Sequence, residues 1–229
     1  MKQQINYCLK KLIEIPDDSE YFYIKDDNEF MIFKSNKIII FQSPNQAKIQ
    51  IKHGELIFCD ATFYACPKIA YQLLILRVFD DEKESYYTTA FALMTDKTTD
   101  NYECFFRNID INIRNYLSIN STYSVKEIHS DFESAIGNGC KKIYPNVNIK
   151  FCIWHLLRAI EGKKNSLCRE DVLNNDNIYV LYNAIRNLYI CDPSYTKLIL
   201  KLIKEENDNN NFKNFIFILK MNILINMKN

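Results

Sequence analysis

The hydrophobic positions of residues 55–94 fall into three runs that each have the length of a β-strand. The first, residues 55–60, ends in an aspartate. The second, residues 71–79, is almost continuously apolar and rich in β-branched and aromatic side chains, which predicts a strand buried on both faces. A polar turn at residues 80–83 separates it from the third run, residues 86–94. These two strands are therefore predicted to be antiparallel neighbours.

After residue 99 the pattern switches repeatedly between helical and strand spacing. It predicts helices at residues 100–116, 132–143 and 153–161, and strands at residues 125–131 and 147–151. The strand at residues 125–131, like the one at residues 55–60, ends in an aspartate.

Acids and glycines mark the limits of these predicted helices. Asp100 and Glu103 form an N-terminal capping pattern for the first helix. Gly137 and Gly139 are expected to loosen the second helix, and Gly162 is placed to end the third.

The two ends of the chain have simpler patterns. Short apolar runs at residues 30–33 and 37–41 predict a β-hairpin. Helical spacing predicts three further helices, at residues 178–190, 195–206 and 212–227.

Three strands followed by alternating helices and strands predict an α/β fold with a mixed five-stranded sheet and helices on both faces. This is the element order of a ribonuclease-H-like core, here with an additional C-terminal helical region. The predicted division is an N-terminal extension at residues 1–50, the core at 51–165, and a helical insertion, expected to be incomplete, at 166–229.

Composition excludes some classes of protein. At 48% hydrophobic residues, the 229-residue chain is globular, and it has neither a signal-peptide pattern nor an apolar run that could span a membrane, so we expect an intracellular protein without a membrane role. The eight cysteines are scattered without a Cys-x-x-Cys pair, which is typical of buried free thiols. The net charge of +1 does not by itself indicate a nucleic-acid-binding protein. Residues 151–229 carry 11 basic and 8 acidic side chains, so their charge makes them the part that is favoured for contact with phosphates.

Asp60 and Asp131, the aspartates that end two predicted strands, are the strongest chemical signal. If these strands are neighbours, their backbones lie about 4.8 Å apart and the carboxylates can share a metal site. Mg²⁺ suits such a site because it takes oxygen ligands and keeps water molecules that a substrate phosphate can displace. Two divalent ions can stabilise the entering and leaving oxygens of a phosphoryl transfer. The alternative is that both aspartates form hydrogen bonds in turns.

Cys152 and His155 follow at a predicted strand-to-helix junction. Their i, i+3 spacing places them on one helical face, where they could contact the same ligand. The alternatives are an incomplete structural zinc site, core packing by Cys152, and a buried His155 bonded to a backbone carbonyl.

Together these motifs resemble the Mutator-like element (MULE) transposases. The resemblance covers residues 30–165. It is carried by an ordered set of short strings: Asp60-Ala61-Thr62-Phe63 with Pro67 and Gln72, then Ser130-Asp131-Phe132-Glu133-Ser134-Ala135, Tyr144-Pro145, and Cys152-x-x-His155 with Arg158.

The resemblance implies a DDE-type catalytic domain that cleaves and transfers DNA strands at transposon ends with Mg²⁺ or Mn²⁺. Asp60 and Asp131 match the first two catalytic acids, and Cys152 and His155 match the Cys-x-x-His near the active site. It further implies DNA as the partner, a homo-oligomer and a nuclear location.

The third catalytic acid of the family, a glutamate, has no clear counterpart. Asn174-Asn175 resembles the string that precedes it, but no glutamate follows in place, and Glu206 is the weak remaining candidate for a third metal ligand. The chain is therefore expected to end inside the helical insertion, with doubtful activity. One alternative is a non-catalytic DNA- or protein-binding remnant of a transposase; another is a different ribonuclease-H-like nuclease.

Overall fold

The structure is a computed structural model that describes residues 14, 16, 19–24, 29–118 and 122–219. The chain divides into two compact units, residues 1–150 and 151–229. The last part of the helix predicted at residues 212–227 lies outside the described residues.

Seven strands form one mixed sheet. They are β1 Met31–Lys34, β2 Ile38–Phe41, β3 Leu56–Thr62, β4 Gln72–Asp80, β5 Ser85–Met94, β6 Glu127–Ser130 and β7 Asn148–Phe151. Their order across the sheet is β1-β2-β5-β4-β3-β6-β7. The pairs β1–β2, β2–β5, β5–β4 and β4–β3 are antiparallel, whereas β3 and β6 are parallel.

The predicted α/β class, the hairpin and the antiparallel β4–β5 pair are confirmed, but the predicted count of five strands was wrong. The hairpin of β1 and β2 joins the sheet, because β2 pairs with β5 along its whole length. Ile38, Ile39 and Ile40 are all buried, so β2 has apolar contacts on both faces. An isolated hairpin would leave these side chains in water.

The strand β4 shows which face of the sheet carries the core. Leu74, Leu76 and Val78 alternate with less buried residues, and each is fully buried. The prediction that this strand is buried on both faces was therefore wrong for one face. The strand β3 alternates in the same way, with Ile57 and Cys59 facing the core.

Three helices cover this core: α1 Pro44–His53, α2 Thr99–Arg114 and α3 Ser134–Ile143. Helix α1 was not predicted, although Ser43 and Gln46 form a complete capping box at its start. The predicted cap of α2 was wrong: Thr98 occupies the N-cap position, and the Glu103 carboxylate instead accepts hydrogen bonds from Arg107 and Lys142. That helices cover both faces of the sheet stays a prediction.

The glycines of α3 allow close packing. A Cβ at Gly139 would lie 2.6 Å from Cβ of Tyr102 and 2.8 Å from the backbone nitrogen of Glu103, so α3 touches the backbone of α2 at this point. The expectation that Gly139 merely loosens the helix is corrected by this contact. At Gly137 the nearest atom is instead Cδ1 of the Ile149 side chain.

The second unit is helical over its described residues. Its helices are α4 Ile153–Leu167, α5 Arg169–Asn174, α6 Asp176–Arg186, α7 Pro193–Glu205 and α8 Asn210–Leu219. Gly162 does not end α4 as predicted: it is exposed in the middle of the helix, where it tolerates helical geometry. None of the helices described has the length and apolar character of a membrane span.

Candidate active site

Asp60 and Asp131 lie on neighbouring parallel strands. In the ladder between β3 and β6, Cys59 is the register partner of Ser130, so each aspartate is the next residue after the last matched pair. Asp131 directly follows the end of β6. Asp60 is not at a strand end as predicted, because β3 continues to Thr62 through its pairing with β4. The condition for a shared site, that the two strands are neighbours, is met.

The buried thiol of Cys59 shows that the acids share one region. Burial raises the pKa of Cys59 well above its usual value, Cys140 raises it further, and the carboxylates of Asp131, Asp60 and Glu133 add to the shift. A shift from all three carboxylates requires that each lies near this thiol, since the electrostatic effect falls with distance. The three acids therefore lie near the Cys59 end of the β3–β6 pair.

Each aspartate accepts a hydrogen bond from a nearby backbone amide. The Oδ1 atom of Asp60 accepts from Ala61 N–H at 2.9 Å, and Oδ1 of Asp131 accepts from Glu133 N–H at 3.0 Å. The second bond forms a turn that fixes the start of α3 relative to Asp131. Asp60 is exposed and Asp131 is half-buried, so solvent reaches Asp60.

The carboxylate of Glu133 is held by two long-range partners. Tyr102 Oη donates to its Oε1 at 2.6 Å, and Lys97 Nζ lies 2.6 Å from its Oε2. Gln72 Nε2 in turn donates to Tyr102 Oη at 2.9 Å. Glu133 itself occupies the N-cap position of α3. This network connects β4 and α2 to the turn that carries Asp131.

Phe63, three residues after Asp60, forms an aromatic pair with Tyr71. The two rings meet edge to face, with centroids 5.3 Å apart. Lys97, the partner of Glu133, places Nζ 4.7 Å from the centroid of the Phe63 ring. The sequence indicated Phe63 and Gln72 only as parts of the family resemblance. It did not indicate Lys97 and Tyr102 as site residues, because nothing local in the chain predicts their contacts.

The donor chemistry of Asp60 and Asp131 fits a hard divalent cation such as Mg²⁺, since both supply carboxylate oxygens from adjacent strands. Glu133 is already engaged by a cation and a phenol. Within residues 29–118 and 122–219, no group of three or more His, Cys, Asp or Glu side chains is arranged to hold a metal ion. Among the described residues, the two aspartates could therefore supply only part of a ligand set.

The Cys-x-x-His string begins the second unit. Cys152 is the N-cap residue of α4, and its carbonyl accepts from Leu156 N–H. The ring of His155 meets Trp154 edge to face at 4.8 Å, and the Arg158 guanidinium stacks over Trp154 at 5.0 Å. The predicted position at a strand-to-helix junction is confirmed, and the roles of Cys152 and His155 stay predictions.

Glu206, the predicted third ligand, is the exposed C-cap residue of α7, and its backbone N–H donates to the Leu202 carbonyl. Its role as a ligand stays a prediction.

The first unit is thus a mixed α/β sheet in which Asp60 and Asp131 each follow the last matched pair of two neighbouring parallel strands. The family model of the MULE transposase domain matches residues 56–159. These residues are therefore similar to the MULE transposase domain, and the predicted resemblance is confirmed over this range. A comparison with curated proteins gives no match.

Proposed function

We propose that residues 56–159 form a DDE-type catalytic domain for metal-dependent cleavage and transfer of DNA strands at transposon ends. The observation that carries the proposal is the position of Asp60 and Asp131, one residue beyond the Cys59–Ser130 pair of β3 and β6. The match of these residues to the MULE transposase domain supports the DNA substrate.

The strand arrangement supports a ribonuclease-H-like fold as part of this proposal. Strands β5, β4 and β3 are successive antiparallel neighbours, β6 is parallel to β3, and β7 follows β6 in the sheet. This order places the first and fourth core strands side by side, which is what brings the two aspartates together. The added hairpin of β1 and β2 lies at the opposite edge and leaves that pair unchanged.

In this proposal Asp60 and Asp131 hold Mg²⁺ or Mn²⁺, which when bound activates the attacking oxygen and stabilises the departing 3′-oxygen. Asp131 is oriented by the turn that includes Glu133, and Glu133 is fixed by Lys97 and Tyr102. Glu133 thus acts as a positioning residue. We further propose a nuclear location and assembly as a homo-oligomer on DNA, on the strength of the family alone.

The proposal is tested by incubating the full 229-residue chain with supercoiled plasmid DNA and Mn²⁺. The expected result is nicking that disappears in EDTA and in both Asp60→Asn and Asp131→Asn. Asp81→Asn is the matched control, because Asp81 is exposed in the turn between β4 and β5 and should leave nicking intact. Equal nicking by Asp60→Asn and the unaltered chain would refute the assignment.

A second candidate function is a non-catalytic DNA-binding remnant. This alternative is favoured by the incomplete set of metal ligands, since the described residues include no group of three potential ligands arranged for a metal. Binding of DNA in a gel-shift assay, with no nicking in Mg²⁺ or Mn²⁺, would support this alternative over the catalytic one.

A further inference from the structure

We propose that Phe63 and Tyr71 form a stacking site for one unpaired base of the DNA strand that enters the Asp60–Asp131 site. This inference rests on the proposed function for its substrate, DNA. It adds a residue-level feature: the chain would recognise a nucleotide that is unpaired next to the reacting phosphate.

Strand ends hold both rings in place. Phe63 directly follows Thr62, which is paired with Leu73 of β4. The backbone N–H of Tyr71 donates to the carbonyl of Met94 at 2.8 Å, which ties Tyr71 to the end of β5. A stacking surface mounted on strands loses little conformational entropy when a ligand binds.

The aromatic pair is partly exposed and lies beside the Lys97–Glu133 ion pair. Phe63 is 50% exposed and Tyr71 is 36% exposed, while Lys97 places its ammonium 4.7 Å from the centroid of the Phe63 ring. Lys97 is itself held by the Glu133 carboxylate at 2.6 Å. An exposed aromatic face suits the flat base of a nucleotide.

The position of Phe63 in the chain, close to Asp60, favours an unpaired DNA base as the ligand of this surface. Phe63 lies three residues after Asp60, at most about 10 Å of extended chain, so a DNA strand whose phosphate reaches Asp60 has a neighbouring nucleotide within reach of this surface. Bases inside a duplex are already stacked on their neighbours, and only an unpaired base can present its face to a protein ring. Tyr64, fully exposed beside Phe63, adds a third ring on the same connection.

The experiment measures binding of the full chain to single-stranded DNA without divalent metal, in EDTA at fixed salt. The probes are a fluorescent 12-nucleotide oligothymidylate and the same oligonucleotide with abasic sites, which keeps every phosphate. Phe63→Leu and Tyr71→Leu remove a ring and keep an apolar side chain. The matched control is Tyr86→Leu, because Tyr86 is an exposed aromatic near the start of β5, at the other end of the β4–β5 pair from Tyr71, where it packs against Phe79.

We expect Phe63→Leu to weaken binding of oligothymidylate by about 5- to 140-fold, the range for loss of one base–aromatic stack. Phe63→Trp should retain binding, Tyr86→Leu should leave it unchanged, and the abasic probe should bind weakly to every form. A 2-aminopurine base in the oligonucleotide should lose fluorescence on binding the unaltered chain, a readout that needs no variant.

Equal affinity for the abasic and the normal probe, with unchanged 2-aminopurine fluorescence, would overturn the stacking site while leaving DNA binding intact. Failure of the chain to bind either single-stranded or duplex DNA would overturn both this inference and the proposed function. A Tyr86→Leu variant that loses as much affinity as Phe63→Leu would also overturn it, because the effect would then not be local.

Discussion

The contact between α2 and α3 at Gly139 gives a stability prediction with a sharp internal control. A Cβ added there would meet Tyr102 Cβ at 2.6 Å, Glu103 N at 2.8 Å and Tyr102 C at 2.9 Å. Carbon atoms pack best about 3.5–4.0 Å apart, so the two helices must separate by about 1 Å. These atoms belong to or adjoin the backbone of α2, and no side-chain rotation relieves the clash.

Overpacking of this kind destabilises a folded protein by about 1–3 kcal/mol. Replacing a helical glycine by alanine contributes about 1 kcal/mol in the opposite direction. Gly139→Ala is therefore expected to lower the free energy of unfolding by up to about 2 kcal/mol, with the clash outweighing the gain in helix propensity.

Gly137→Ala is the matched control, because it makes the same substitution two residues earlier in the same helix. Its added Cβ meets the terminal Cδ1 of Ile149 at 2.6 Å, and that side chain can rotate away. We expect this variant to be neutral or slightly stabilising. Gly162→Ala in α4, where nothing lies within 4 Å, should stabilise the second unit by about 0.5–1 kcal/mol.

The assay is urea unfolding followed by far-ultraviolet circular dichroism, with Trp154 fluorescence as a separate probe of the second unit. The reasoning is refuted if Gly139→Ala is as stable as Gly137→Ala, because the two variants differ mainly in what the new methyl group meets.

Two further predictions concern the contacts around the site and between its helices. Tyr102→Phe should lower the free energy of unfolding by about 1–3 kcal/mol, because Gln72 and Glu133 each lose a hydrogen-bond partner in the interior; an unchanged urea midpoint would contradict this network. Lys142→Met should destabilise the chain at neutral pH. The bond from Lys142 lowers the pKa of Glu103, so this contribution is lost as pH falls through the lowered pKa, and the difference between the two forms should shrink in acid. Urea midpoints of both forms from neutral to acid pH measure the effect, and a difference that stays constant with pH would count against the contact.

The succession of strands along the chain and the antiparallel β4–β5 pair could be predicted because these features leave a local pattern. Apolar runs of strand length marked β3, β4, β5 and β6, and two of these runs carried an aspartate at their predicted ends. Helix α1 also left a local signal in Ser43 and Gln46, and its omission reflects an overlooked capping box.

The contacts that organise the site leave no such signal. Tyr102 and Lys97 reach Glu133 from 31 and 36 residues away along the chain, and only the packing of α2 beside the sheet brings them together. The sequence likewise predicts Gly139 only as a weak position in a helix, and its close contact with the backbone of α2 is seen only in the structure. Tertiary contacts decided both roles, and local propensity did not indicate them.

The central claim, that Asp60 and Asp131 share a divalent metal, is tested most directly by Mn²⁺ titration of the full chain followed by electron paramagnetic resonance. The account predicts Mn²⁺ binding by the unaltered chain and by Asp81→Asn, and its loss in both Asp60→Asn and Asp131→Asn. Asp60→Asn should also fold at least as stably without metal, because it relieves repulsion between neighbouring carboxylates. Mn²⁺ binding that is unchanged in Asp60→Asn, or absent from the unaltered chain, would contradict the shared metal site.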